Sequence, residues 1–299
     1  MQAILRERAG RMAGIGDHSI WSFCFAKGVL PCDFIRGSPI ASNTGTHEIP
    51  MIYSAIRPAG TDRLFLVDTG FAGGDSMTGR RFADVETPEE VLGKVGLAPA
   101  QVDTILLTHL HFDHAGNIDA FPGAEIIVQR SEYEGWQRAL AELEDNAAGK
   151  QSWVLSSLNL DDIARMERAV AAGRVRFVEG DVEVFPGITL RLEPESHSFG
   201  SQWVEVATPD GPFVLAGDVL ASYANIERMW PPGYHQGNGW RLLQGYRRLR
   251  ALVGEELHRI VPGHDMEVFR RVPSRVIGRN PVAELHLARG DRSFLGSEA

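Results

Sequence analysis

The segment Thr108-His109-Leu110-His111-Phe112-Asp113-His114 constrains this chain more than any other. It places three histidines and one aspartate within six positions, directly after the apolar run Ile105-Leu106-Leu107. The run predicts a buried strand over 102–107 that delivers the polar segment to a loop at its end. In extended backbone, side chains alternate between faces, so His109, His111 and Asp113 share one face and His114 joins them once the chain turns. Such a set suits two adjacent metal ions, one for His109 and His111 and one for Asp113 and His114. Neutral imidazoles with carboxylates fit zinc, manganese or iron.

Three later stretches carry the same chemistry in turn-like contexts. They are Pro194-Glu195-Ser196-His197-Ser198-Phe199-Gly200-Ser201-Gln202, Ala216-Gly217-Asp218 and Pro262-Gly263-His264-Asp265. With the first segment they resemble, in order, the metal-binding motifs of the metallo-β-lactamase fold superfamily of hydrolases. The resemblance runs from about residue 52 to about residue 267, and its wording is most similar to the N-acyl-homoserine lactonase-like group.

That resemblance implies an αββα sandwich, an α/β fold, with a dinuclear metal site at one edge of its sheets. It implies that His109, His111 and His197 hold one ion, that Asp113, His114 and His264 hold the other, and that Asp218 bridges both. It also implies that Asp68, in the turn Asp68-Thr69-Gly70, orients a metal-bound imidazole from behind, as ligating histidines usually require. The lactonase-like group places a tyrosine three residues after the bridging aspartate. Here that position is Ala221, and Tyr223 is the candidate to take over the hydrogen bond to the substrate. The catalytic set is therefore Asp113, Asp218 and Tyr223.

Two dications a few ångströms apart acidify a shared water to hydroxide near neutral pH. The expected activity is metal-dependent opening of a lactone, or cleavage of another carboxylic ester, with zinc the first choice and manganese or iron(II) the others. The same chemistry serves a thioester, a phosphodiester or a β-lactam, so the pocket must decide. The segments 28–50, 146–160 and 229–240 are where that pocket is expected, with Phe34, Met51, Trp153, Trp230 and Tyr234 as apolar candidates. Readings from other classes are an iron-dependent redox enzyme on the same ligands and a non-catalytic binding protein that keeps the fold. His235, in the aromatic stretch Trp230-Pro231-Pro232-Gly233-Tyr234-His235, is the one remaining histidine placed to matter.

Partners follow from composition. The 299 residues, 43% hydrophobic, are enough for one sizeable domain, read as 1–299 with a loose arm over 1–17 and a tail over 282–299. Arm and tail leave a homodimer open. A net charge of -9 without a basic stripe argues against a nucleic-acid partner, and no stretch is long enough for a membrane span. Two cysteines, Cys24 and Cys32, make no disulfide framework, and the absence of a signal-peptide pattern completes the expectation of a cytoplasmic enzyme.

Strands are predicted at 19–25, 51–56, 63–67, 102–107, 124–128, 174–178, 188–192, 202–207, 213–216 and 258–261. Helices are predicted over 87–95, from the capping box Thr87-Pro88-Glu89-Glu90 to Gly96, and over 131–143, 161–172 and 240–252. Most strands end in a polar turn bearing His or Asp, as a sandwich with its site at one edge requires.

Overall fold

The computed structural model describes residues 16–37, 45–71, 82–144 and 152–296. Most of the expected arm, residues 1–15, lies outside them. The first sheet opens with two long antiparallel strands, β1 (Ser19–Pro31) and β2 (Thr46–Arg57), with a bulge between Cys24 and Ala26. On one side follow β3 (Leu64–Val67) and then β5 (Val102–Leu106), β6 (Glu125–Gln129) and β7 (Val175–Val178), with β3, β5, β6 and β7 mutually parallel. A short β4 (Phe82–Ala83) pairs with β1. The second sheet has the order β12 (Ile260–Pro262), β11 (Phe213–Gly217), β10 (Gln202–Val206), β9 (Ile188–Leu192) and β8 (Val182–Phe185).

The first residues of the expected tail, 282–286, are instead part of the first sheet. β13 (Ser274–Ile277) and β14 (Asn280–His286) form a hairpin, and β14 pairs with β1. The turn of that hairpin is Gly278-Arg279, with Gly278 at φ 72°.

The two sheets stack face to face, and helices cover both outer faces. Alternation along the strands sorts the layers. In β6, Ile126 and Val128 face the helix layer while Ile127 faces the other sheet. In β11, Phe213 and Leu215 enter the space between the sheets while Val214 and Ala216 face the second helix layer. Strands buried on both faces read as unbroken apolar runs, which is why the sequence shows Ile105-Leu106-Leu107 and not an alternating pattern. Each such side chain contributes about 1.5–3 kcal/mol on burial.

The helices are α1 (Cys32–Arg36), α2 (Pro88–Gly93), α3 (Phe112–Ala115), α4 (Arg130–Glu144), α5 (Leu160–Ala171), α6 (Tyr223–Arg228), α7 (Gly239–Val253) and α8 (Val268–Arg271). Val91 and Leu92 of α2, Trp136 of α4 and Ile163 and Met166 of α5 pack on the first sheet. Leu242, Tyr246 and Leu249 of α7 pack on the second. The predicted capping box holds: the Glu90 amide donates to the Thr87 hydroxyl, and the Thr87 amide donates to the Glu90 carboxylate. At α4 the helix already begins at Arg130, one residue before the predicted start at Ser131.

Candidate active site

The site forms where strand ends of both sheets meet. Asp68 follows β3, His109 and His111 follow β5, Asp218 follows β11, and His264 follows β12. His197 stands in the loop between β9 and β10. Asp113 arrives differently from the expectation, while His114 joins the site through the turn as expected. The chain turns into α3 directly after His111, so helical geometry, not strand alternation, carries Asp113 round to the site.

The predicted ligand residues converge in two groups, His109, His111, His197 and Asp218 in one and Asp113, His114 and His264 in the other, all buried. Within each group, one ligand atom per residue lies within 4.8 Å of the rest. Asp218 reaches both. Its Oδ2 is 3.2 Å from His197 Nε2. Its Oδ1 is 3.5 Å from His114 Nε2 and 3.1 Å from His264 Nε2. Asp113 Oδ2 stands 3.4 Å from His264 Nε2 and 3.6 Å from His114 Nε2.

Two glycines make this approach sterically possible. Gly217 has φ 48°, and a Cβ there would meet the Thr108 side chain at 2.7 Å. A Cβ on Gly263 would lie 2.2 Å from Asp218 Oδ1. The motifs Ala216-Gly217-Asp218 and Pro262-Gly263-His264 therefore carry glycine because the loops touch.

Three of the imidazoles, His109, His114 and His264, are oriented by their other nitrogen. Asp68, in the left-handed region at φ 66°, accepts from His114 Nδ1 at 2.7 Å and from the Thr108 hydroxyl at 2.8 Å, and its Oδ1 accepts the Thr108 amide at 2.7 Å. This is the arrangement the resemblance implies for Asp68. His109 Nδ1 pairs with the Thr108 hydroxyl at 3.0 Å, and His264 Nδ1 with the Pro50 carbonyl at 3.1 Å. In all three rings Nε2 is left to face the centre. His109 Nε2, His114 Nε2 and Asp218 Oδ1 are buried there without a hydrogen-bond partner. Buried polar atoms are otherwise nearly always paired, so the donor set and its orphaned atoms fit divalent cations.

Electrostatics divides the two groups. Burial holds His109 and His197 well below the ordinary imidazole range, and lowers His111 to about 4. These rings are neutral, as ligands must be. For His114, burial acts downward, but Asp113, Asp68 and Asp218 outweigh it and raise its pKa well above the ordinary value. His264 is raised in the same way, chiefly by Asp218 against burial. Burial pushes the Asp218 carboxyl upward, yet His264, His197 and His114 together hold it well below the ordinary carboxylate range.

Glu132, in the first turn of α4, is fully buried behind the site. Its Oε1 accepts the Leu110 amide at 3.0 Å and the Trp136 indole N–H at 2.8 Å. Its Oε2 accepts the Ser198 hydroxyl and the Gly200 amide, both at 2.6 Å. One carboxylate thus ties the segment between His109 and His111 to the segment after His197. The sequence offered only a helix start here, because the loop partners Leu110, Ser198 and Gly200 are 22 to 68 residues away.

A narrow pocket leads down to Asp113, His197, Asp218 and His264. Its walls are largely apolar, with Leu30, Phe34, Ile49, Met51, Phe82 and Phe112 among them. Ala221, Pro232, Tyr234 and Ser157 complete much of the rest. All three expected segments contribute, although residues 38–44 and 145–151 lie outside the described ones. Of the apolar candidates, Phe34, Met51 and Tyr234 line the pocket. Trp153 is 60% exposed and only touches the Tyr234 ring edge-on, and Trp230 carries the Arg228 guanidinium on its face. His235 is outside both ligand groups.

Tyr223 does not take the role expected of it. It starts α6, is buried in the core between the sheets, and donates its hydroxyl to the Ile260 carbonyl at 2.7 Å. Arg271 covers its ring at 3.8 Å. The pocket wall at this point is Ala221, and helical geometry sends the side chain two residues later elsewhere.

Comparison with known proteins adds three findings. A family model described as the metallo-beta-lactamase superfamily matches residues 53–264. An N-acyl homoserine lactonase of a Bacillus species is 32% identical over 181 residues, 60% of this chain and 62% of that one. The N-acyl homoserine lactonase AiiB of Agrobacterium fabrum is 26% identical over 189 residues, 60% of this chain and 63% of that one. The match therefore spans about three fifths of the length of these curated relatives. Among solved structures, a B. thuringiensis AiiA variant with N-decanoyl-L-homoserine at its active site superposes with TM-score 0.65 at 23% identity, over 88% of this chain and 98% of that one. The dizinc lactonase AidC superposes with TM-score 0.64 at 13% identity, over 89% and 94% of the two chains. At these identities the superpositions speak for the fold.

Proposed function

The chain belongs to the metallo-β-lactamase superfamily, and from that premise we propose that it is a metal-dependent hydrolase that opens a lactone or cleaves another carboxylic ester. One observation carries this reading: two buried ligand groups share Asp218 at the floor of a largely apolar pocket. His109, His111 and His197 would hold one cation, and Asp113, His114 and His264 the other, with Asp218 between them. Zinc suits this imidazole and carboxylate set, as do manganese and iron(II). Bound there, a pair of divalent cations supplies Lewis acidity for an acyl oxygen and lowers the pKa of water.

The chain's own residues do the rest. The apolar walls bind the acyl portion of the substrate and exclude water from its flanks. Asp68, Thr108 and the Pro50 carbonyl keep three imidazoles turned inward. Asp113 lines the pocket beside His264 and is the carboxylate placed to take the proton that the attacking water loses and hand it to the departing oxygen. Ala221 leaves the floor open, and Tyr223 has no part.

The names of the curated relatives make N-acyl homoserine lactones the first substrates to test. Among the described residues lining the pocket there is no lysine or arginine, which favours a neutral ester or lactone over a phosphodiester. The free thiols Cys24 and Cys32 support a reducing compartment such as the cytoplasm. No helix among the described residues is long and apolar enough to cross a membrane. The test is acid release from N-acyl homoserine lactones of graded chain length, simple lactones and aryl esters, by metal-loaded and chelator-treated protein. Ring opening that chelator removes and zinc or manganese restores is expected. A metal-loaded protein inert across the panel would end the proposal.

A further inference from the structure

His111 is oriented by a group the sequence does not advertise. Its Nε2 lies 2.9 Å from Gln236 Oε1, and its Nδ1 faces His197 Nε2 at 3.1 Å. The other end of the Gln236 amide is surrounded by acceptors. Gln236 Nε2 is 2.9 Å from the Tyr234 hydroxyl, 3.1 Å from the Ser157 hydroxyl and 3.2 Å from the Val154 carbonyl. The Gln236 backbone amide donates to the His197 carbonyl at 2.8 Å.

These contacts fix the chemistry. The Val154 carbonyl can only accept, so the amide nitrogen must face it. A flipped amide would set carbonyl against carbonyl at Val154 and NH2 against His111. Oε1 therefore faces His111, and His111 must carry its proton on Nε2. A neutral ring protonated on Nε2 has a bare Nδ1, the atom that points toward His197 and the first ligand group. The loop bearing Gln236 is itself anchored: Tyr234 stacks on Phe34 with centroids 4.4 Å apart, and the Gly233 amide donates to the Asp33 carbonyl at 3.0 Å.

We propose that Gln236 is a positioning residue that locks His111 in the Nε2-protonated tautomer and so presents Nδ1 to the metal. It rests on the metal reading above, but its first test needs no metal. Long-range ¹H–¹⁵N spectra of histidine-labelled, metal-free protein report each ring's tautomer directly. Wild type is expected to show His111 protonated on Nε2 alone. Gln236→Leu removes the acceptor at nearly constant volume, and the Nδ1-protonated form should then become populated. Gln236→Glu keeps an acceptor toward His111, sets its second oxygen against the Val154 carbonyl at some cost in stability, and should restore the wild-type tautomer.

Zinc affinity by chelator competition should fall about 10- to 100-fold in Gln236→Leu and recover in Gln236→Glu, the usual effect of removing a group behind a ligand. An unchanged tautomer and unchanged zinc affinity in Gln236→Leu would overturn the proposal. So would Nδ1 protonation in Gln236→Glu, which stands as the test if the leucine variant does not fold. Failure of the metal reading would show separately, as a wild-type protein that takes up no zinc.

Discussion

Removing the Glu132 carboxylate should both loosen the fold and weaken the metal site. Three buried N–H donors, from Leu110, Trp136 and Gly200, and the Ser198 hydroxyl converge on it. Ser198 can turn to Ser201 Oγ, 2.8 Å away, so Glu132→Ala strands three donors. Each stranded buried donor costs about 1–3 kcal/mol, or roughly 3–9 kcal/mol together. Part of this returns, because burial raises the Glu132 pKa against its four hydrogen bonds, and that desolvation cost vanishes with the side chain. Water entering the cavity returns more. A net loss of about 3–5 kcal/mol remains, against a total stability on the order of 5–15 kcal/mol. Glu132→Gln keeps the volume but sets an NH2 against donors on one side, stranding one N–H at about 1–3 kcal/mol. Urea unfolding of metal-free protein measures both variants, and zinc competition with a chelator should show a 10- to 100-fold loss of affinity in Glu132→Gln. Midpoints and affinities matching wild type would refute the idea that one carboxylate clamps the loops of His109, His111 and His197.

Three further predictions concern other parts of the chain. Gly263→Ala should fold but lose metal from the group containing His264, read by metal analysis, because its Cβ would lie 2.2 Å from Asp218 Oδ1. Burial, opposed by Arg165, raises the Asp162 pKa to about 6 from 3.8. The folded state then holds the proton more tightly, so this contribution to stability is full below pH 4 and is lost as pH rises through 6. The stability of wild type relative to Asp162→Asn should therefore fall from pH 4 to pH 8, by up to about 3 kcal/mol, and a pH-independent difference would contradict it. Burial also pushes the Cys24 thiol up to about 12. At pH 8 it should resist alkylation in the native protein and react only on unfolding, while the half-buried Cys32 reacts first by peptide mass analysis.

Much of the fold was legible because its strands are buried on both faces and announce themselves as apolar runs. The side chains that converge in the two groups were legible because their spacing is local within each motif. What stayed hidden depends on contacts distant in sequence or on weak local patterns. The hairpin over 274–286 was missed because Arg275, Arg279 and Pro281 dilute the apolar signal, and Pro281 can join a strand only where its missing N–H is not needed. Gln236 reaches a partner 125 residues away, and no local pattern marks it. Tyr223 was misjudged because closeness in sequence to Ala221 says nothing of direction once α6 begins there. Phe82 and Phe112 enter the pocket wall from a two-residue strand and a four-residue helix, elements too short to leave a period.

The central claim is that seven side chains from both sheets hold a pair of cations. Anomalous diffraction from crystals of zinc-loaded protein tests it most directly. Two peaks are predicted, one among His109, His111 and His197 and one among Asp113, His114 and His264, with Asp218 touching both. A single peak, or zinc bound only at the surface, would contradict it.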